Sequence, residues 1–260
     1  MEYQLEKRNP VAVFDSGVGG ISVLRELIKI MPDEDYIYFG DSKNAPYGIK
    51  DKQEVRRLTT ECAVKLFEQG AKGLVVACNT ATSAAVRSLR ETYPYIPIVG
   101  IEPAVKPAAL CMEHPRVLVL ATPMTIREDK FHRLMSEYES TAEIIPLPCP
   151  GLMDFIERGN LDGEDLHSYL QDLLYSYSGN QVDAAVLGCT HYPFIRPQIQ
   201  RVLGDMVRIF DGGEGTAREM RRRLQVNGLL RGENRRGETV FENSLTDGAK
   251  ITLCQRLLRL

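Results

Sequence analysis

Five stretches of this chain are apolar almost without a break: VAVF (11–14), YIYF (36–39), GLVV (73–76), VLVLA (117–121) and AAVLG (184–188). A strand with one wet face alternates apolar and polar residues. Strands that are apolar at every position are buried on both faces, which requires a parallel sheet covered by helices. The intervening segments supply helical patterns. In ISVLRELIKIM (21–31), Ile21, Leu24, Leu27, Ile28 and Met31 form one apolar helical face. Residues 52–69, 82–91, 127–138, 151–159, 163–176 and 215–225 also read as helical, and 98–104, 142–150 and 207–215 as further strands. An antiparallel tail is expected between 237 and 253.

Two pairs of segments echo each other. LVVACNTA (74–81) and AVLGCTHY (185–192) both run from strand to small residue to cysteine to hydroxyl or amide, and FDSGVGG (14–20) echoes FDGGEG (210–215). The simplest architecture is two similar α/β lobes facing each other across a cleft, residues 1–98 with 210–260 and residues 99–209. One wide sheet fits the local pattern equally well.

Composition limits the function classes. The 260 residues carry 32 Lys and Arg against 35 Asp and Glu, a formal net charge of −3, so no basic coat for nucleic acid exists. The arginine-rich segment 221–236 reads as a solvated basic helix face rather than a nucleic-acid module. No apolar run approaches the roughly 18–20 residues that span a bilayer, and MEYQLEKRNPVAVF lacks the apolar core of a signal peptide. A cytoplasmic protein without membrane contact is expected. The six cysteines, Cys62, Cys78, Cys111, Cys149, Cys189 and Cys254, form no CxxC pair and no metal-spaced motif with the four histidines. Neither a disulfide framework nor a bound metal is expected.

In open parallel sheets ligands bind beyond the carboxyl ends of the strands. Four polar strand ends are candidates: Asp15-Ser16, Asp41-Ser42, Cys78-Asn79-Thr80 and Cys189-Thr190-His191. The glycines of FDSGVGG lack the GxGxxG spacing of a dinucleotide site. A thiol at a helix N-terminus or beside a cation becomes a reactive thiolate, and both Cys78 and Cys189 are expected where a helix starts. One thiolate with His191 suits acyl transfer or hydrolysis. Two thiols in matching positions suit stereoinversion, one removing a proton from a carbon and the other returning one to the opposite face. Pattern alone leaves these open.

The motifs VFDSGVGG, YFGDSKNAPYG, VVACNTAT, VLGCTHYP and IFDGGEGTA, in that order, resemble the glutamate racemases of the aspartate/glutamate racemase superfamily over essentially the whole chain. The resemblance implies two pseudo-twofold related α/β lobes, each with a mainly parallel sheet flanked by helices, about a central cleft. It implies interconversion of L- and D-glutamate without a cofactor, feeding peptidoglycan synthesis, in a homodimer. It also implies roles for residues. Cys189 takes the proton from L-glutamate and Cys78 from D-glutamate, with Asp15, His191 and Glu157 assisting. Substrate binding falls to Asp15, Ser16, Asp41, Tyr47, Gly48, Asn79, Thr80, Thr122, Thr190 and His191. An aspartate racemase would share the paired thiols and differ in the pocket for the distal carboxylate.

Overall fold

The computed structural model describes residues 5–232, 235–246 and 248–260. The chain forms two compact units, one built from 1–102 and 213–260, the other from the contiguous stretch 103–212.

The first unit holds a five-stranded sheet in the order β4-β3-β1-β2-β9, every neighbouring pair parallel. Its strands are β1 (Val11–Asp15), β2 (Tyr36–Gly40), β3 (Gly73–Val76), β4 (Ile98–Gly100) and β9 (Thr239–Asn243). Every residue of β1, β2 and β3 is buried, as continuous apolar runs require. Helix α1 (Ile21–Ile30) carries the chain from β1 to β2; α2 (Lys52–Glu68) and α3 (Asn79–Thr92) carry it back through β3 to β4. Right-handed crossovers in opposite directions place α1 on one face and α2 with α3 on the other. Helices α10 (Gly213–Val226) and α11 (Ala249–Leu258) pack against α1, and α2 packs against α3.

The second unit has a four-stranded parallel sheet in the order β6-β5-β7-β8. Its strands are β5 (Arg116–Ala121), β6 (Glu143–Pro148), β7 (Ala184–Leu187) and β8 (Arg208–Asp211). Alternate residues Val117, Val119, Ala121, Ala184 and Val186 form one core with Val105 and Ala108 of α4 (Val105–Ala109) and with Phe131 and Met135 of α6 (Asp129–Ser136). The pleat turns the intervening leucines to the other face. There the crossovers from β6 to β7 and from β7 to β8 put α7 (Leu152–Glu157), α8 (Glu164–Leu174) and α9 (Arg196–Leu203). Short α5 (Pro123–Arg127) precedes α6.

Three expectations change. The tail is not antiparallel: β9 pairs parallel with β2, and α11 follows it. Val240 is exposed and its neighbours in the strand are only partly buried at a sheet edge, so local pattern carries no pairing direction. Helix α3 starts at Asn79, three residues before the expected 82, because Cys78 caps it. Behind Cys189 there is no α-helix start. A 3-10 turn (Tyr192–Ile195) intervenes before α9, with Pro193 at its start and Pro197 in the first turn of α9; within a helix, proline is accommodated without a kink in the first turn.

Much of the arginine-rich segment is occupied internally. Arg222 and Arg223 pair with Glu219, and Arg231 and Arg235 pair with Asp35; residues 233 and 234 of it lie outside the described residues. Beside Asp35, fully buried Lys72 pairs with fully buried Glu34 and donates to the Lys7 carbonyl. Glu34 also accepts the Arg231 amide at 2.8 Å. No helix among the described residues is long and apolar enough to cross a membrane.

Candidate active site

In each sheet the chain first steps to one side and then returns past its starting strand. The reversal falls between β1 and β3 in the first unit and between β5 and β7 in the second. Crevices at such switch points, beyond the carboxyl ends of the strands, are where parallel sheets bind ligands. The strand ends there carry Asp15-Ser16 and Cys78 in one unit, and Thr122 and Cys189 in the other.

In the first unit Asp15 is fully buried, and its Oδ1 accepts the Gly17 amide at 2.8 Å. A Cβ on Gly20 would lie 2.7 Å from the Asp15 Cβ, so only glycine lets the loop fold back onto this aspartate. The Ser16 hydroxyl lies 3.5 Å from the Cys78 sulfur. Cys78 caps α3, with its sulfur 3.5 Å from the Ala81 amide. A thiolate there receives a hydroxyl donor, an amide donor and the positive end of a 14-residue helix. Thr80 is buried in the first turn of α3, and the buried Oδ1 of Asn79 finds no hydrogen-bond partner among the described residues. A buried acceptor without a partner at the start of a helix favours an incoming donor.

Asp41 continues this row, its amide donating to the Asp15 carbonyl at 2.9 Å. Its buried carboxylate accepts the Tyr47 hydroxyl at 2.7 Å and the Asn44 side-chain amide at 3.0 Å. Tyr47 is 1% exposed and tilts against Phe14. Burial, then Asp41, and more weakly Cys62 and Cys78, push its phenol far above the ordinary range, so it stays a neutral donor. Gly48 follows it in a 3-10 turn (Tyr47–Ile49).

In the second unit the Cys189 sulfur lies 3.5 Å from His191 Nδ1, and His191 Nε2 lies 2.8 Å from Glu157 Oε1 at the end of α7. His191 is 2% exposed. Burial opposes its charge, but the hydrogen bonds and charges of Cys189 and Glu157 outweigh burial and hold the imidazole well above its usual pKa. The imidazolium then donates from both nitrogens, to sulfur and to carboxylate. Thr190, which lies between Cys189 and His191 in sequence, is also buried. Thr122 caps α5, its Oγ1 3.2 Å from the Thr125 amide and 2.9 Å from the Thr125 hydroxyl. Cys149 directly follows β6, its thiol donating to the Leu147 carbonyl at 3.4 Å, and burial pushes it up to about 12, so it remains a neutral thiol.

Each unit therefore gathers its own predicted residues: Asp15, Ser16, Asp41, Tyr47, Gly48, Asn79 and Thr80 around Cys78, and Thr190, His191 and Glu157 around Cys189, with Thr122 on the adjoining strand. Two supports escaped the sequence reading. Asn44 holds Asp41 and Thr125 holds Thr122, and in both cases the only signal is a polar residue three positions after another.

Comparison with known proteins identifies the family. The model of the Asp/Glu/Hydantoin racemase family matches residues 19–220. The chain belongs to that family. A glutamate racemase of Clostridium perfringens is 48% identical to this racemase over 254 residues, 98% of each chain. The crystal structure of glutamate racemase from Thermus thermophilus in complex with β-chloro-D-alanine is 35% identical, with a TM-score of 0.81 over 97% of this chain and 94% of that one. The Escherichia coli glutamate racemase, solved with L-glutamate and the activator UDP-MurNAc-ala, is 30% identical, with a TM-score of 0.81 over 96% and 95%.

Proposed function

We propose that this racemase interconverts L- and D-glutamate without a cofactor, using Cys189 and Cys78 as the two bases. The reading is carried by one observation: each sheet ends at its switch point in a cysteine whose sulfur has its own hydrogen-bond donors. In the L to D direction the Cys189 thiolate, held by the His191 imidazolium, takes the α-proton, and the Cys78 thiol returns a proton to the opposite face. In reverse, the Cys78 thiolate, held by the Ser16 hydroxyl and the Ala81 amide, takes the α-proton of D-glutamate. Neither direction consumes anything else.

The developing negative charge on the substrate needs fixed dipoles in a dry site. Asn79, Thr80, Thr122 and Thr190 supply short polar donors for carboxylate oxygens. Asp15 and the orphaned Asn79 Oδ1 supply acceptors for the ammonium. Tyr47 and Gly48 shape the place of the distal carboxylate. The similarity to an enzyme activated by a muramyl nucleotide supports a role in supplying D-glutamate for peptidoglycan precursors, which are assembled in the cytoplasm.

The test is incubation of purified protein with each enantiomer, with chelator present and no added cofactor, while optical rotation is followed. Both solutions should reach the same racemic endpoint; a rotation that never changes would refute the reading. Aspartate, one methylene shorter, should react with a kcat/KM lower by about 10- to 200-fold. Equal turnover would favour a broader amino-acid racemase.

The Glu157–His191 pair gives a second test. Removing the carboxylate charge in Glu157→Gln should lower the His191 pKa, so that histidine NMR shows its proton leaving at lower pH than in the wild type. The raised native pKa contributes stability that is fully present below the unfolded value of about 6.5 and is lost as pH rises through the native value. The stability gap between wild type and variant should therefore be widest from about pH 5 to 6.5 and close as His191 deprotonates. An unchanged His191 titration would separate Glu157 from the histidine's charge.

A further inference from the structure

We propose that Asn243 and Ser244, at the end of the last strand, are positioning residues that clamp the loop carrying Asp41 and Tyr47. The substrate part of this inference rests on the reading of Tyr47 and Gly48 as glutamate-binding groups. None of the family motifs in this sequence reaches β9, and no role attaches to it from the chemistry described so far.

The clamp is built from three hydrogen bonds between segments about 200 positions apart in sequence, with a fourth, local bond that fixes Asn243. Gly40, the last residue of β2, is in register with Asn243, the last of β9. The ladder then continues one step, as the Ser244 amide donates to the Gly40 carbonyl at 3.0 Å. Beyond it the side chains take over. Asn243 Nδ2 donates to the Ser42 hydroxyl oxygen at 2.9 Å, and the Lys43 amide donates to Ser244 Oγ at 2.9 Å. Asn243 is itself fixed, because its Oδ1 accepts the Leu245 amide at 2.9 Å. The approach is close: a Cβ on Gly40 would lie 2.5 Å from the Gly17 carbonyl oxygen and 2.9 Å from Asn243 Nδ2. Gly40 is thus pinned between the Asp15-Ser16-Gly17 loop on one side and Asn243 on the other.

The loop has two anchored ends and one inward contact. At its far end Asp51 caps α2 by accepting the Gln53 and Glu54 amides at 2.9 Å. Strand β9 is held to the same helix, with Glu242 accepting from Lys65 at 2.7 Å and from Gln69 at 3.0 Å. Between the anchors, the Tyr47–Asp41 bond turns the loop toward Phe14 at the end of β1. Ser42 and Lys43 directly follow Asp41, so whatever holds them sets where the carboxylate, and through it the tyrosine, sits. Binding groups displaced by even a fraction of an ångström lose affinity before they lose fold.

The test compares Asn243→Ala, Ser244→Ala and Asn243→Asp in the full-length protein. In Asn243→Asp the carboxylate still accepts the Leu245 amide, and the Ser42 hydroxyl reverses to become the donor. Amide hydrogen exchange across 41–50 should accelerate about tenfold or more in both alanine variants, while β1 amides stay protected. For Asn243→Ala the KM for glutamate should rise about 5- to 20-fold with kcat within about twofold, and Asn243→Asp should restore it. If Asn243→Ala does not fold, Ser42→Ala removes the same bond from the other side. Unchanged exchange in 41–50 would overturn the clamp; faster exchange with an unchanged KM would overturn its role in binding. A wild-type protein that racemises no glutamate would refute the proposed function, and exchange alone would then decide the clamp.

Discussion

Racemisation of glutamate by Cys78→Ser and by Cys189→Ser should each fall by on the order of 10³-fold or more, since a missing general acid or base costs about 10²- to 10⁴-fold and a serine alkoxide is not available near neutral pH. Inversion needs a base on one face and an acid on the other, so neither thiol can stand in for its counterpart. The partial reactions should tell them apart. With β-chloroalanine, removal of the α-proton lets chloride leave, and one working base is enough. Cys189→Ser should still eliminate chloride from the D isomer, and Cys78→Ser from the L isomer. These partial reactions are the proper measure of asymmetry. The free glutamate enantiomers have equal energies, so kcat/KM in the two directions must stay equal in any variant. Equal elimination from both isomers by either single variant would refute the opposite-face assignment. Ser16→Ala should slow the D isomer more than the L isomer, because Ser16 touches the Cys78 sulfur only 3.5 Å away.

The second large effect lies far from the chemistry. Glu34→Gln should destabilise the protein by about 3–5 kcal/mol, read as a lower urea midpoint, because it leaves the Lys72 ammonium buried without a counter-charge. Burial already lowers the Lys72 pKa, with Glu34 opposing. A lysine that holds its proton less tightly when folded makes stability rise with pH. The loss in Glu34→Gln should therefore shrink in alkaline solution. Replacing both partners by methionine should recover part of the loss, since the pair's desolvation penalty disappears as well. The recovery is partial because the Lys7 carbonyl and the Arg231 amide would lose their partners. A wild-type midpoint for Glu34→Gln would show that this pair contributes nothing.

How much of this was legible in the sequence depends on range. β1, β3, β5 and β7 are readable because a strand buried on both faces writes its burial into consecutive residues. The direction of β9 is not legible because Val240 and Glu242 sit on an edge strand whose partner residues lie 203 positions away. The start of α3 was read late because Asn79, Thr80 and Thr82 look like turn residues, and the Cys78 cap that makes them helical is invisible to propensity. Cys78 and Cys189 stand out through the echo of their strand ends. The donors to their sulfurs divide by distance: His191 is two residues from Cys189, whereas Ser16 is 62 residues from Cys78. Nothing marked Glu34 and Lys72 as buried, because PDEDY and GAKG look like wet loops until their side chains meet.

The division of the chain has a consequence for how the molecule is made. The second unit is one continuous stretch, 103–212, inserted into the first. A chain emerging from the ribosome presents that whole unit before α10, β9 and α11 exist, and domains generally fold as units during synthesis. The first unit must wait with β2 as a bare edge until residues 239–243 arrive to cover it. The residues that complete the Asp41 loop are thus made only after the whole second unit, so a chain released before residue 239 would carry a finished second unit and an unfinished first one.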